Sequence, residues 1–256
     1  MEHKKTDDEY RIIALGDSYT EGMGAPSDST WPVLLEGIIQ QQHSNLIINC
    51  INAGVSDSDP VFEFQLFKDK LLEYEPDMVI LAVNGSDVRD VFLRGGFDRY
   101  DKNGTLHFKK GPFWEYFYSF SFICRYIVHD FMGYNRLLVS NKEFEDSKQE
   151  SFDILFESFM KFIDLSKKHG FKFKLVFMPF TQDMFNGNSL LTPMVNYLKD
   201  QEYSSDIIDL YQCYYEYMLA ANKSPYYYSW EYDTHHNSKG YLMMANCIAQ
   251  SLNSLH

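Results

Sequence analysis

A serine hydroxyl becomes a nucleophile only with a base beside it. This chain sets Ser18 at the end of a short apolar run, Ile12 to Leu15, that breaks off in Gly16-Asp17-Ser18. Far along the chain stand Asp233-Thr234-His235-His236. A carboxylate three residues from His236 can fix the tautomer of that imidazole, which can then take the Ser18 proton. The constellation expected from types and spacing is Ser18 as nucleophile, His236 as general base and Asp233 as its orienting partner. Asp17 is expected to support the turn. His235 is the competing imidazole. Taken singly, Gly-Asp-Ser is an ordinary turn tripeptide and Asp233 to Asn237 an ordinary polar helix start.

Acyl transfer also needs N–H donors aimed at the developing oxyanion. Two further apolar runs end in residues that suit this, Asn52-Ala53-Gly54 and Asn84-Gly85. The expected oxyanion hole is the Ser18 N–H, the Gly54 N–H and the Asn84 side-chain amide. Gly54 permits close approach because it has no side chain.

The elements that must hold these residues follow from periodicity. Ile12 to Leu15, Leu46 to Ile51, Met78 to Val83, Phe171 to Met178 and Ile207 to Leu210 have the length and branching of buried strands. Between them run helical stripes: Leu34, Leu35, Ile38 and Ile39 after Thr30 and Pro32; Val61 to Tyr74, closed by Pro76; Phe152 to Ile163, stopped by Gly170; Leu190 to Leu198; and Ser238 to Leu252. Strand–helix alternation argues an α/β fold, a parallel sheet covered on both faces. In a sheet of order 2-1-3-4-5, strands 1 and 3 meet at the switch point, where ligands bind at the carboxyl ends. Ser18 and Asn84 would stand there together.

Residues 85–148 form an excursion too long for a plain connection. Its second part, Pro112 to Leu138, is dense in aromatics and reads as helical. Trp114, Phe117 and Tyr118 lie within one or two helical turns, and Tyr226 to Tyr232 form a second cluster before His236. Trp114, Phe117, Tyr118, Tyr226 and Trp230 are the expected substrate-binding residues, stacking on sugar rings or lining an acyl groove. The chain reads as one domain over residues 1–256, with a polar tail at 1–10 and the excursion as insertion or lid.

Gly16-Asp17-Ser18, Gly54, Asn84 and Asp233-x-x-His236, in that order, resemble the four blocks of the SGNH (GDSL) hydrolases. The resemblance covers nearly the whole chain outside residues 85–148, and its spacing leaves His235, too close in sequence to Asp233 to match, without a role. It departs from the family at Ala82-Val83-Asn84-Gly85, where the family commonly has Gly-x-Asn-Asp, unless Asp87 substitutes for the missing acid. The resemblance implies a three-layer α/β/α sandwich and hydrolysis of esters or thioesters through an acyl-enzyme, with no metal and no cofactor. The substrate preferred is a short-acyl, acetyl-like ester on a polar or glycan carrier. The alternatives are a lipid-ester or acyl-thioester hydrolase, and an inactive relative that only binds.

Composition sets outer limits. The chain has 256 residues, 45% of them hydrophobic, and a net charge of −13. That charge argues against nucleic acid and anionic membrane surfaces as partners. Cys50, Cys124, Cys213 and Cys247 are scattered without metal or redox spacing, and Cys50 and Cys247 read as small buried hydrophobes, which suits a reducing compartment. No run reaches the roughly 18 apolar residues of a spanning helix. Met1 to Arg11 lacks the apolar core of a signal peptide. A cytoplasmic location is the expectation.

Overall fold

The structure, a computed structural model, describes residues 5–106, 112–201, 203, 206–231 and 233–252. Five strands, β1 (Glu9–Leu15), β2 (Ile47–Asn52), β3 (Met78–Val83), β4 (Lys172–Phe177) and β5 (Ile207–Asp209), form one parallel sheet in the order β2-β1-β3-β4-β5. The helices are α1 (Ser18–Glu21), α2 (Trp31–Gln42), α3 (Pro60–Leu66), α4 (Asp87–Leu93), α5 (Glu115–Phe120), α6 (Phe122–Tyr126), α7 (Tyr134–Leu138), α8 (Asn141–Asp146), α9 (Lys148–His169), α10 (Thr181–Asn186), α11 (Thr192–Lys199), α12 (Leu210–Ala221) and α13 (Ser238–Ser251).

Successive side chains of a strand point to opposite faces, and here both faces are buried. Ile12 and Ala14 of β1, with Met78, Ile80 and Ala82 of β3, pack against Trp31 and Leu35 of α2, Tyr214 of α12 and Met244 and Ile248 of α13. Ile13 and Leu15, with Val79, Leu81 and Val83, pack against Phe64 of α3, Val88 and Val91 of α4, Phe159 and Phe162 of α9 and Val195 of α11. The result is the expected three-layer sandwich. Leu15 pairs with Leu81, so β1 and β3 deliver their carboxyl ends side by side.

Several expectations change. Glu9 and Tyr10 pair with Ile47 and Ile48, so the strand begins inside the supposed polar tail. The helix expected over 61–74 is α3 followed by a π turn, Phe67–Leu71, and a 3-10 turn, Leu72–Tyr74. Strand five stops at Asp209, whose carboxylate caps α12, a helix the periodicity did not announce. Within residues 85–148, α4 belongs to the sandwich through Val88 and Val91.

The cysteines are the largest correction. Cys213 and Cys247 form a disulfide, with Cα atoms 5.8 Å apart, that ties α12 to α13. Tertiary packing brought these residues together across 34 positions of sequence. Such bonds persist in oxidising surroundings, so cysteine usage does not argue for a reducing compartment. No helix among the described residues is long and apolar enough to cross a membrane.

Candidate active site

The nucleophile turn is built by three residues. Gly16 leaves β1 at φ +150°, where a Cβ would lie 2.2 Å from Thr20 Oγ1 and 3.0 Å from the Ala82 carbonyl. Asp17 follows and caps α1: its Oδ1 accepts the Tyr19 N–H at 2.9 Å. Its Oδ2 accepts from Asn84 Nδ2 at 2.8 Å. Ser18 is the first residue of α1, so its own N–H has no acceptor within the helix.

Ser18 Oγ lies 2.8 Å from an imidazole nitrogen, and that nitrogen is Nε2 of His235. The expected base, His236, is elsewhere. It is buried, with Nε2 3.1 Å from the Tyr214 hydroxyl and its ring packed among Tyr19, Tyr214 and Tyr241. Burial pulls its pKa down to about 3, with the neighbouring His235 adding to the effect. The reason is alternation. Ser229 and His236 form an antiparallel bridge, and Trp230 N–H donates to the His235 carbonyl at 2.9 Å. In so extended a segment adjacent side chains face opposite ways: His235 meets Ser18 and His236 enters the core.

The spacing objection to His235 is removed by Thr234, whose φ is +63°. A β-branched residue in the left-handed region is a true outlier. It turns the chain so that Asp233 Oδ1 accepts the His235 N–H at 2.9 Å and lies 3.3 Å from His235 Nδ1. That oxygen's approach to Nδ1 lacks hydrogen-bond geometry, so the backbone N–H is its aligned partner. Thr234 is held by its N–H to the Trp230 carbonyl at 3.1 Å and by the Tyr19 hydroxyl, which donates to its carbonyl at 3.2 Å. The Tyr19 ring stacks on His235 at 4.7 Å. Sequence reasoning missed His235 itself and the two residues that set it, Tyr19 and Thr234. Tyr19 borders the nucleophile, but nothing in its neighbours marks the stacking.

Asn84 is where it was expected. It is buried at the end of β3; its Oδ1 accepts from Ser86 N–H and Oγ, and its N–H donates to Asp87 Oδ2 at 2.8 Å. One Asn84 Nδ2 hydrogen goes to Asp17, which leaves the other for a ligand. Gly54 departs from expectation. Its N–H donates to Asn52 Oδ1 at 3.0 Å, and its missing side chain serves packing: a Cβ would come within 2.1 Å of the Glu21 backbone nitrogen.

Beneath the turn lies a group of buried carboxyls. Burial, with the negative charge of neighbouring carboxylates, pushes Glu63 and Asp87 well above the ordinary carboxylate range. Asp17 is also raised by burial, against the lowering effect of its bonds from Asn84 and the Tyr19 N–H and of the nearby His235. Ser58 Oγ is 2.6 Å from Glu63 Oε1 and 3.2 Å from the Gly16 carbonyl. A neutral Glu63 donates to Ser58, whose own hydrogen then serves Gly16. Among the described residues no three His, Cys, Asp or Glu side chains are grouped to hold a metal.

The aromatic residues divide. Trp114 and Tyr118 pack with Tyr134, at 5.6 and 4.9 Å, beside a cleft of about 780 Å³ that is also lined by Asp57, Arg94 and Tyr100. Phe117 instead joins the exposed Tyr116 and Phe120. Tyr226 packs against Phe185 with the rings tilted by 41°, and Trp230 donates its indole N–H to the Gly24 carbonyl at 2.8 Å, closing the loop before His235. Tyr232 lies outside the described residues.

No protein-family model and no curated protein matches the sequence. Solved structures do. A G-D-S-L family protein from Desulfitobacterium hafniense DCB-2 is 13% identical over 94% of this chain and 99% of its own, with a TM-score of 0.54. An acetylxylan esterase from Geobacillus stearothermophilus is 13% identical over 95% of this chain and 94% of its own, at 0.57. A two-domain esterase active on acetylated mannans is 14% identical over 96% of this chain, at 0.52; the chain spans 49% of that protein. By sheet order, layering and these likenesses, the chain has the three-layer α/β/α fold of the G-D-S-L, or SGNH, hydrolases.

Proposed function

We propose that this chain is a serine esterase. The observation that carries the reading is the 2.8 Å contact of Ser18 Oγ with His235 Nε2 at the carboxyl end of β1. His235 Nε2 takes the hydroxyl proton as Ser18 Oγ bonds to the acyl carbon. The carbonyl π pair moves to oxygen, and the resulting oxyanion faces the Ser18 N–H and the free Asn84 Nδ2 hydrogen. The imidazolium returns its proton to the leaving alkoxide oxygen, and the ester C–O bond breaks. Water, deprotonated by His235, then releases the acid from Ser18. Asp233 and, through space, Asp17 stabilise the imidazolium. The Gly54 N–H becomes a third donor only if Asn52 Oδ1 releases it.

The substrate class follows as an acetyl or other short-acyl ester on a hydroxyl-rich carrier. The cleft reaches the turn that carries Ser18 through Val55 and Ser58, both bonded to the Gly16 carbonyl, and not through Ser18, Asn84 or His235; its charged walls, from Asp57, Asp98, Arg94 and Glu157, suit a polar carrier better than an acyl chain. Structural neighbours are described as esterases of acetylated xylan and mannan. Serine-to-alanine and aspartate-to-alanine forms of one neighbour are described as catalytic mutants.

The test is a p-nitrophenyl ester series from acetate to palmitate, with Ser18→Ala alongside. Turnover falling steeply beyond butyrate, and loss of about 10³-fold or more in the variant, is the expected result. Turnover that rises with chain length would favour a lipid-ester hydrolase. No turnover at any length would favour a binding module.

A further inference from the structure

Behind the nucleophile turn, two oxygens compete for one hydrogen. Ser58 Oγ lies 2.6 Å from Glu63 Oε1 and 3.2 Å from the Gly16 carbonyl. A hydroxyl has one hydrogen to give. Beside a Glu63 carboxylate, Ser58 would face two acceptors and could serve one. Beside a neutral Glu63, the acid donates to Ser58 and Ser58 donates to Gly16, so both contacts are hydrogen bonds. The surroundings favour the neutral acid. Glu63 is 1% exposed, and its Oε2 is buried without a hydrogen-bond partner. Asp17 on the nucleophile turn, Asp59 at the N-cap of α3 and Asp87 on α4 face it with further carboxyls. Arg94 also faces it, but its guanidinium is bonded to Asp57 and Asp59.

The Gly16 carbonyl belongs to the peptide that begins Asp17, and it also accepts the Val55 N–H at 3.0 Å. Turning that peptide would displace Asp17, which holds the Tyr19 N–H and Asn84 Nδ2, and Ser18 one residue on. We propose that Glu63, as a neutral acid, is a positioning residue for Ser18: through Ser58 it fixes the Gly16 peptide and so sets where Ser18 Oγ meets His235 Nε2. This role rests on the esterase reading above. Loss of the Glu63 proton reverses the relay. Ser58 then gives its hydrogen to the carboxylate and turns only lone pairs toward the Gly16 carbonyl, which pushes that peptide away. Activity is therefore complete while Glu63 is neutral and falls as pH rises through its ionisation in the folded chain. A misplacement of about 1 Å can cost about 100-fold in rate, and here it falls on kcat, because Glu63 touches no substrate.

The experiment is steady-state hydrolysis of p-nitrophenyl acetate from about pH 5 to about pH 9, with circular dichroism to confirm folding. Wild type is compared with Ser58→Ala, Glu63→Gln and Ser18→Ala. Ser58→Ala should lower kcat about tenfold with KM within about twofold. Glu63→Gln is the conservative rescue: its amide still donates to Ser58 but cannot ionise. It should keep the wild-type kcat at neutral pH and lose the alkaline fall that wild type shows. A folded Ser58→Ala with wild-type kcat overturns the role. So does a Glu63→Gln as slow as Ser58→Ala, or one whose alkaline limb matches that of wild type. Wild type without turnover, or Ser18→Ala as fast as wild type, would overturn the esterase reading and this role with it.

Discussion

The two adjacent histidines give the sharpest test, since they differ in everything but position. His235→Ala removes the group 2.8 Å from Ser18 Oγ. Loss of a triad base should lower kcat by about 10⁴-fold or more, equivalent to roughly 5 kcal/mol of barrier. Its cost in stability should be small, because the ring is partly exposed and its neighbours Asp233 and Ser18 reach water. His236→Ala should do the reverse. It empties a buried site among three tyrosine rings and leaves the Tyr214 hydroxyl without its partner. The orphaned hydroxyl costs about 1–3 kcal/mol, and the cavity brings the total to about 3–4 kcal/mol. Turnover of the folded protein should stay within about tenfold of wild type, since His236 touches no reacting atom. The assay is kcat on p-nitrophenyl acetate beside urea melts at constant pH. If folded His236→Ala loses activity as deeply as His235→Ala, or if His235→Ala keeps about a tenth of the rate or more, the geometric assignment is wrong.

Asn84→Ala should lower kcat by roughly 100- to 1000-fold with little change in KM, because its amide serves the oxyanion more than bound substrate; a pure KM effect in steady-state kinetics would refute that. Burial raises the Glu63 carboxyl well above its ordinary range in the folded chain, so stability should fall as pH rises above that ordinary range, by up to about 1.4 kcal/mol per unit until the folded acid ionises. Glu63→Gln, which can still donate to Ser58, should then be more stable than wild type in urea melts at pH 7.5 and no different near pH 4; equal stability at both would refute the buried neutral acid. His236 works in the opposite direction: neutral when folded and charged when unfolded between about 3 and 6.5, it adds stability as pH rises through that window, and His236→Phe should flatten that limb of the pH–stability curve. Gly54→Ala sets a Cβ against the Glu21 backbone and should cost about 1–3 kcal/mol along with activity, as α1 shifts Ser18; a fully active, fully stable variant would contradict the close passage.

What the sequence made legible was whatever depends on local pattern. Strands β1 to β4 show as branched apolar runs, and the carboxyl ends of β1 and β3 mark Ser18 and Asn84. What it hid depends on backbone conformation or on distant packing. Nothing in Asp233-Thr234-His235-His236 says that Thr234 adopts a left-handed turn, and without that turn a three-residue spacing is the reasonable choice. Gly54 was recognised as a point of close approach, but the partner is the α1 backbone and not a substrate. α12 escaped because its tyrosines are at home both in cores and on surfaces, so Tyr214 and Met218 do not stand out as an inward stripe. The disulfide could not be read from four cysteines without knowing which helices are neighbours.

That disulfide also changes how the molecule can come apart. Residues 213–247 form a covalent ring, and the segment carrying Asp233, His235 and His236 is part of its circumference. In the chain-entropy picture a loop of this size removes roughly 4 kcal/mol of disorder from the unfolded ensemble. For partial opening the effect is topological. α13 cannot fray from its first turn and carry the base away without pulling on α12, so the two helices should exchange their amide hydrogens as one unit. Ser18 is held by the sheet, His235 by a ring, and the two meet only when both are closed.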